Sequence, residues 1–171
     1  MSSTGNHYNG MASIDKARGY MRLAIDSARK GFRRGQGGPF GACIVKDGRV
    51  LAVAHNSVLR DKAATRHAEI RAIEEASRRL KTHELDGCEL FSTTEPCVMC
   101  FAAINWARIP RVTFGTTVSD AKKLGFNELT ISNSALKRLG KSAIRLRAGV
   151  LRDECRGLFE EWRRFPGRQT Y

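Results

Sequence analysis

From residue 14 the apolar positions Ile14, Ala17, Met21, Ala24, Ile25 and Ala28 return every three or four residues, the period of a helix with one buried face. Ser13 stands where an N-cap is wanted and Gly31 where such a helix is expected to stop. A glycine-rich loop through Gly35, Gly37, Gly38 and Pro39 follows. Two apolar runs, 40–46 and 49–55, then flank Asp47-Gly48, a strong signal for antiparallel strands joined by a tight turn. Residues 56–65 read as a polar loop, and a second helix is expected from about Arg66 to Leu80, with Ile70, Ile73, Ala76, Ser77 and Leu80 on one side and charges on the other. A strand over 88–92, an almost uniformly apolar helix over 97–107 opened by Pro96, and a strand over 111–115 come next. A polar, site-like loop over 116–133, a last strand over 144–148 and a final helix over 152–165 complete the pattern. Helix, two strands, then alternating helices and strands predict an α/β protein: a three-layer α/β/α sandwich around a mixed sheet of about five strands, the later ones parallel.

Residues 1–12 are small and polar and read as a disordered leader ahead of a single domain over 13–171, long enough to bury one core. The 30 lysines and arginines against 17 acidic residues give a net charge of +13, which fits an anionic partner such as RNA and equally fits solubility. The basic residues are spread thinly, as on solvated helix faces. No apolar run is long enough to span a bilayer, and the first dozen residues have no apolar stretch of the kind a secretory signal needs. Five cysteines without disulfide-like spacing point to a reducing compartment, and a cytoplasmic protein is expected.

Two short motifs carry chemistry. His67-Ala68-Glu69 and Pro96-Cys97-Val98-Met99-Cys100 each open a predicted helix. One imidazole and two thiolates are a zinc ligand set of three, and three protein ligands leave a fourth tetrahedral position open for water. Cys97 and Cys100 are three apart, so on a helix their sulfurs share a face, and a helix N-terminus favours the thiolate form. If consecutive helices lie side by side on one sheet face, their N-terminal ends converge and His67 meets both cysteines. Glu69 is two residues beyond His67, about 200° around an ideal helix, so periodicity alone does not aim both at one ion. Glu69 is therefore read as a proton shuttle and not as a ligand. A non-enzymatic zinc module would want a fourth protein ligand, for which Cys43, Cys88 or Cys155 could fold in.

Taken together, the two motifs form a zinc deaminase signature, and from about Tyr20 to the C-terminus the chain resembles the cytidine deaminase-like superfamily, most closely bacterial guanine deaminases. The residues that carry the resemblance are Gly37-Gly38-Pro39-Phe40-Gly41-Ala42, Asn56, the two metal motifs with Glu95, Trp106-Ala107-Arg108 and Gly125-Phe126-Asn127-Glu128. It implies a cytidine deaminase-like fold, one zinc ion and hydrolytic removal of an exocyclic amine, guanine giving xanthine and ammonia. It further implies that Asn56 bonds the base, that Glu128 reads a ring N–H edge, and that Phe40 and Trp106 wall the pocket, with Ala68 and a terminal Tyr171 beside the substrate. By residue type alone, Asn56 fits a turn, Glu128 a solvated loop, and Phe40 and Trp106 a core. A homodimer is also implied by the family. Alternatives are guanosine, cytosine, creatinine-like or triazine amines, or adenosine in tRNA, which Arg108-Ile109-Pro110-Arg111-Val112 also resembles. Arg66 stands where these families usually keep a small residue, so an added cation near the metal or pocket is expected there. Asn127 replaces a common aspartate.

Overall fold

The computed structural model describes residues 5–171, with side chains from residue 14 onward. Part of the expected leader, residues 1–4, lies outside the described residues. Helix α1 spans Gly5–Arg33, so it starts before the expected cap at Ser13: each added turn costs little once a helix is nucleated. Its buried line is Ala17, Met21, Ala24, Ile25, Ala28 and Phe32, whereas Ile14 is exposed. Gly31 does not stop the helix. The stop is a Schellman turn around Gly35 at φ +67°, with Gln36 N–H donating to Gly31 O and Gly35 N–H to Phe32 O. Gly31 instead makes room for a neighbour, since a Cβ there would lie 2.3 Å from the His55 ring.

Strands β1 (Gly41–Lys46) and β2 (Arg49–His55) form the expected hairpin, with Asp47 and Gly48 both at positive φ as a type I′ turn requires. Beyond it, the polar loop contains a single helical turn, α2 (Val58–Asp61), followed by α3 (Ala68–Leu80), β3 (Glu89–Thr94), α4 (Val98–Trp106) and β4 (Arg111–Thr116). The segment expected to be all loop holds α5 (Val118–Lys122), and α6 (Asn133–Leu139) precedes β5 (Arg145–Ala148) and α7 (Arg152–Arg164). The short helices escape periodicity because one turn is too brief to show a period, and α5 is set by its capping box between Thr117 and Asp120.

Among the described residues the five strands make one mixed sheet in the order β2-β1-β3-β4-β5, β1 antiparallel to both neighbours and β3, β4 and β5 parallel. Alternation along the strands feeds two cores. Ala42, Ile44 and Leu90 point into the core under α3 and α4, while Cys43, Val45 and Phe91 point into the core under α1 and α7. This is the expected α/β/α sandwich. On α3 the deepest line is Ala68, Ala72 and Ala76, small residues that let the helix sit close to the sheet, with Ile73 and Leu80 packed beside it. Strand β1 likewise meets α1 at backbone distance, since a Cβ on Gly41 would lie 2.0 Å from Ala24 O. No helix among the described residues is long and apolar enough to cross a membrane.

The topology places chemistry at one end of the sheet. The carboxyl ends of β3 and β4, the end of β2 and the start of β1 all lie at the same edge, where open α/β sheets bind ligands.

Candidate active site

His67 and Cys97 occupy equivalent places: each is the N-cap of its helix, α3 and α4, in extended conformation (φ −68°, ψ 156° and φ −65°, ψ 172°). That resolves the difficulty raised by the helical period. His67 is not yet helical, so the 200° separation does not apply to it, and Glu69 one turn-start later faces the same spot. Pro96 correspondingly sits just outside α4 and not in its first turn. Cys100 lies inside the first turn of α4 and is completely buried.

The Sγ atoms of Cys97 and Cys100 each lie 3.6 Å from His67 Nδ1. Zinc–sulfur and zinc–nitrogen bonds of about 2.3 and 2.0–2.1 Å at a tetrahedral angle demand a separation of about 3.6 Å, so the three donors fit a single zinc ion. No fourth histidine, cysteine or carboxylate joins the cluster among the described residues, and Cys43, Cys88 and Cys155 are buried elsewhere in the core. The donor set is therefore open.

The protonation pattern suits soft-metal binding. A hydrogen bond from the Cys100 thiol holds Cys97 down at about 4, against the opposing effect of burial and with help from His67. Cys100 is pushed far up by the same bond and by burial, so the pair shares one proton. Burial pulls His67 down, but the hydrogen bond and charge of Cys97 outweigh it and the imidazole ends above its ordinary value. Glu69 is 5 % exposed, and burial raises its carboxyl above the usual range despite the nearby His67. Ser92 Oγ donates to Glu69 Oε1 at 2.8 Å, and Cys100 Sγ lies 3.5 Å from Oε2. The neutral form of Glu69 is therefore favoured more than in an exposed carboxyl, beside the three candidate metal donors.

Beside the cluster is a cavity of about 290 Å³, lined by His67, Cys97, Phe40, Phe126, Glu128 and Tyr171 together with Ala64, Val98, Met99, Asn127 and Leu129. Its volume is at the small end for ligand pockets, which run from about 300 to 1,000 Å³. Phe40 packs edge-on against Phe126 with ring centroids 4.8 Å apart. Glu128 is pushed up to about 7 by burial, with the Cys97 charge adding to it. Asn56 is buried next to this wall. Its Oδ1 accepts from Tyr171 Oη at 2.5 Å and from Val58 N–H at 3.2 Å, while its Nδ2 has no partner. An unpaired buried amide donor costs roughly 1–3 kcal/mol, which a ligand acceptor would relieve. Tyr171 also accepts from Gly38 N–H at 3.1 Å, and its carbonyl accepts from Asn127 N–H, so the end of the chain closes over its own site. Gly37 is required here, since a Cβ would lie 2.1 Å from Asn56 Oδ1.

Three expected features fall elsewhere. Trp106 is 82 % exposed and lines a separate groove with Phe101, Ala102 and Leu136, because it ends α4 while the ligands begin it, about 13 Å away along a nine-residue helix. Ala68 is buried in the core with Ala72 and does not line the cavity. Arg66 brings no free cation to the pocket: it is spent on ion pairs to Asp61 and Glu74, at 3.1 and 2.7 Å. Conversely, Ser92 joins the site without having been singled out, and Phe126, quoted only as part of the Gly125–Glu128 motif, forms part of its wall. Ser92 could have been found as a polar residue inside an otherwise buried strand, and the place of Phe126 against Phe40 only from the fold.

Comparison with known proteins agrees with this geometry. The chain matches the cytidine and deoxycytidylate deaminase zinc-binding region over residues 14–116. It is 36 % identical to the guanine deaminase of Bacillus subtilis over 152 residues, covering 89 % of this chain and 97 % of that one. It is 47 % identical to the tRNA-specific adenosine deaminase of Aquifex aeolicus over 95 residues, 56 % of this chain and 62 % of that protein. Among solved structures it resembles NE0047 in complex with 2,6-diaminopurine, with a TM-score of 0.79 and 29 % identity over 91 % of this chain and 85 % of the other. The chain belongs to the cytidine and deoxycytidylate deaminase family.

Proposed function

We propose that this chain is a zinc-dependent hydrolytic deaminase of a guanine-like base, turning guanine and water into xanthine and ammonia. The observation that carries the reading is one small cavity lined by His67, Cys97 and Glu128, with the buried carboxyl of Glu69 against Cys100. His67, Cys97 and Cys100 would hold the metal. When bound, zinc supplies Lewis acidity that makes a water a nucleophile at neutral pH.

The remaining work belongs to side chains. Glu69 takes a proton from the attacking water and delivers it to the ring nitrogen beside the amine-bearing carbon. It then carries the second proton to the departing amine, so that a C–O bond forms as the C–N bond breaks and ammonia leaves. Ser92 fixes Oε1, leaving Oε2 on the side of the metal ligands. Asn56 offers its unpaired Nδ2 to a base acceptor, Glu128 accepts from a ring N–H, and Phe40 with Phe126 gives the ring an apolar wall. Adenine lacks a ring N–H at that edge and would leave the carboxylate unpaired. The likeness to a guanine deaminase over almost its whole length, and to a protein solved with a diaminopurine, supports the same substrate class.

A second reading, deamination of adenosine in tRNA, draws on the net charge of +13 and on the Aquifex relative. Ammonia release from purified protein given guanine, guanosine, adenine, cytosine, other cyclic amines and tRNA separates the two. Turnover of guanine is expected, and turnover confined to tRNA adenosine overturns the substrate. The same reading takes the protein to be a cytoplasmic homodimer: all five cysteines are unpaired, and Trp106 with its groove offers an apolar face at the end of α4.

A further inference from the structure

Glu95 is a charged residue with no role in metal binding or proton transfer, yet it is only 7 % exposed. Its carboxylate is spent on two backbone groups far apart in sequence. Oε2 accepts from Val118 N–H at 3.2 Å and Oε1 from Asn133 N–H at 2.7 Å. Val118 is the first residue of α5 and Asn133 the first of α6, so one side chain satisfies an otherwise unpaired N–H of each helix. Asn133, itself completely buried, returns the contact by donating from Nδ2 to Pro96 O at 2.6 Å, and Glu95 N–H donates to Thr116 O at 2.8 Å. Between Val118 and Asn133 lie Phe126, Asn127, Glu128 and Leu129, the residues that form one wall of the cavity. Within residues 123–132 the backbone makes short-range turn contacts, and the segment meets the rest of the molecule through Phe126 in the core, Leu124 packed against that core, and Asn127 N–H on Tyr171 O.

We propose that Glu95 is a positioning residue: two residues before a metal ligand, its buried carboxylate fastens both ends of the substrate-reading segment to the strand that delivers Cys97. The register between Glu128 and the metal donors thereby depends on this side chain at both ends of the segment. The inference rests on the reading of the cavity as the substrate pocket, and it assigns Glu95 to substrate binding and not to the chemical step.

The test uses zinc-loaded, full-length protein. Glu95→Gln replaces one acceptor oxygen with an NH2 group that cannot receive an N–H, so one of the two bonds is lost and the other loses its charge. Loss of a charge-assisted bond is worth about tenfold, so KM for guanine is expected to rise about tenfold or more while kcat stays within about threefold. Zinc content is expected to be unchanged, and amide hydrogen exchange over 123–132 to quicken. Val118→Pro gives an independent arm that decides the matter if Glu95→Gln fails to fold. It deletes the N–H and keeps an apolar side chain at a position only 3 % exposed, proline is accepted at a first helical position, and Thr117 is already extended (φ −97°, ψ 162°). It should shift KM and exchange in the same direction. A lowered melting temperature with unchanged KM, or zinc loss with unchanged exchange over 123–132, overturns the assignment. If the unaltered protein does not turn over guanine, the proposed function fails, and exchange over 123–132 in the two variants still decides the clamp.

Discussion

Glu69 and Cys97 lie within the same few ångströms, yet their surroundings drive them in opposite directions. Burial lifts the Glu69 carboxyl so that it can carry a proton, while the Cys100 hydrogen bond drops the Cys97 thiol to about 4. Glu69→Ala removes the proposed proton carrier and none of the three candidate metal donors. Metal analysis is expected to find zinc retained, and steady-state assay to find turnover lower by about 10²–10⁴-fold; unchanged turnover would remove the shuttle role. Chelation of the metal tests the cysteines. Freed of zinc, Cys97 is a thiolate at neutral pH and only partly buried, so it should react rapidly with a disulfide reagent. Cys43 and Cys155, which burial pushes up to about 12, should stay silent in the folded protein. Mass mapping of the modified thiols reads the outcome.

Elements meet in this fold through glycine as much as through apolar side chains. Gly41 lets β1 run against the backbone of α1, and the atom a Cβ would strike is a carbonyl oxygen that cannot rotate away. Gly41→Ala is therefore expected to lower stability by about 1–3 kcal/mol in urea denaturation, the usual range for overpacking. The same helix covers His55 at the end of β2. Burial first, then Arg71, push its imidazole down to about 4 from 6.5, and Ser27 and Gln36 occupy its two nitrogens. Between those two values the unfolded chain takes up a proton that the folded chain refuses, so stability contributed by neutral His55 is whole above pH 6.5 and is lost as pH falls toward 4. The fall in urea midpoint between pH 7 and pH 5 should be smaller in His55→Gln than in the unaltered protein.

At the scale of the molecule, the two ends of α4 serve different purposes. Its beginning supplies Cys97 and Cys100; its end presents Trp106, 82 % exposed beside a groove, with Leu139 also 73 % exposed. An exposed tryptophan beside a groove is the face that the proposed homodimer would bury. Trp106→Asp is expected to shift the protein from dimer to monomer in light scattering after gel filtration, and a monomer already present without the substitution would contradict the pairing.

The alternation of apolar and polar residues was enough to place the five strands, the hairpin turn and the principal helices, because those patterns report on faces that must be buried whatever their partners. Spacing within the two metal motifs singled out His67, Cys97 and Cys100 as candidate donors with Glu69 beside them, since a ligand set is a matter of donor chemistry, and the structure brings the three donors together. Only tertiary structure decided how these parts faced one another. It made His67 an N-cap and so brought Glu69 to the same spot, turned Trp106 away, paired Arg66 with Asp61 and Glu74, and carried Tyr171 back to Asn56 across 115 residues of chain. Local pattern fixes which side of an element is buried, but the direction from which a distant residue arrives depends on packing between elements, which no short window of sequence contains.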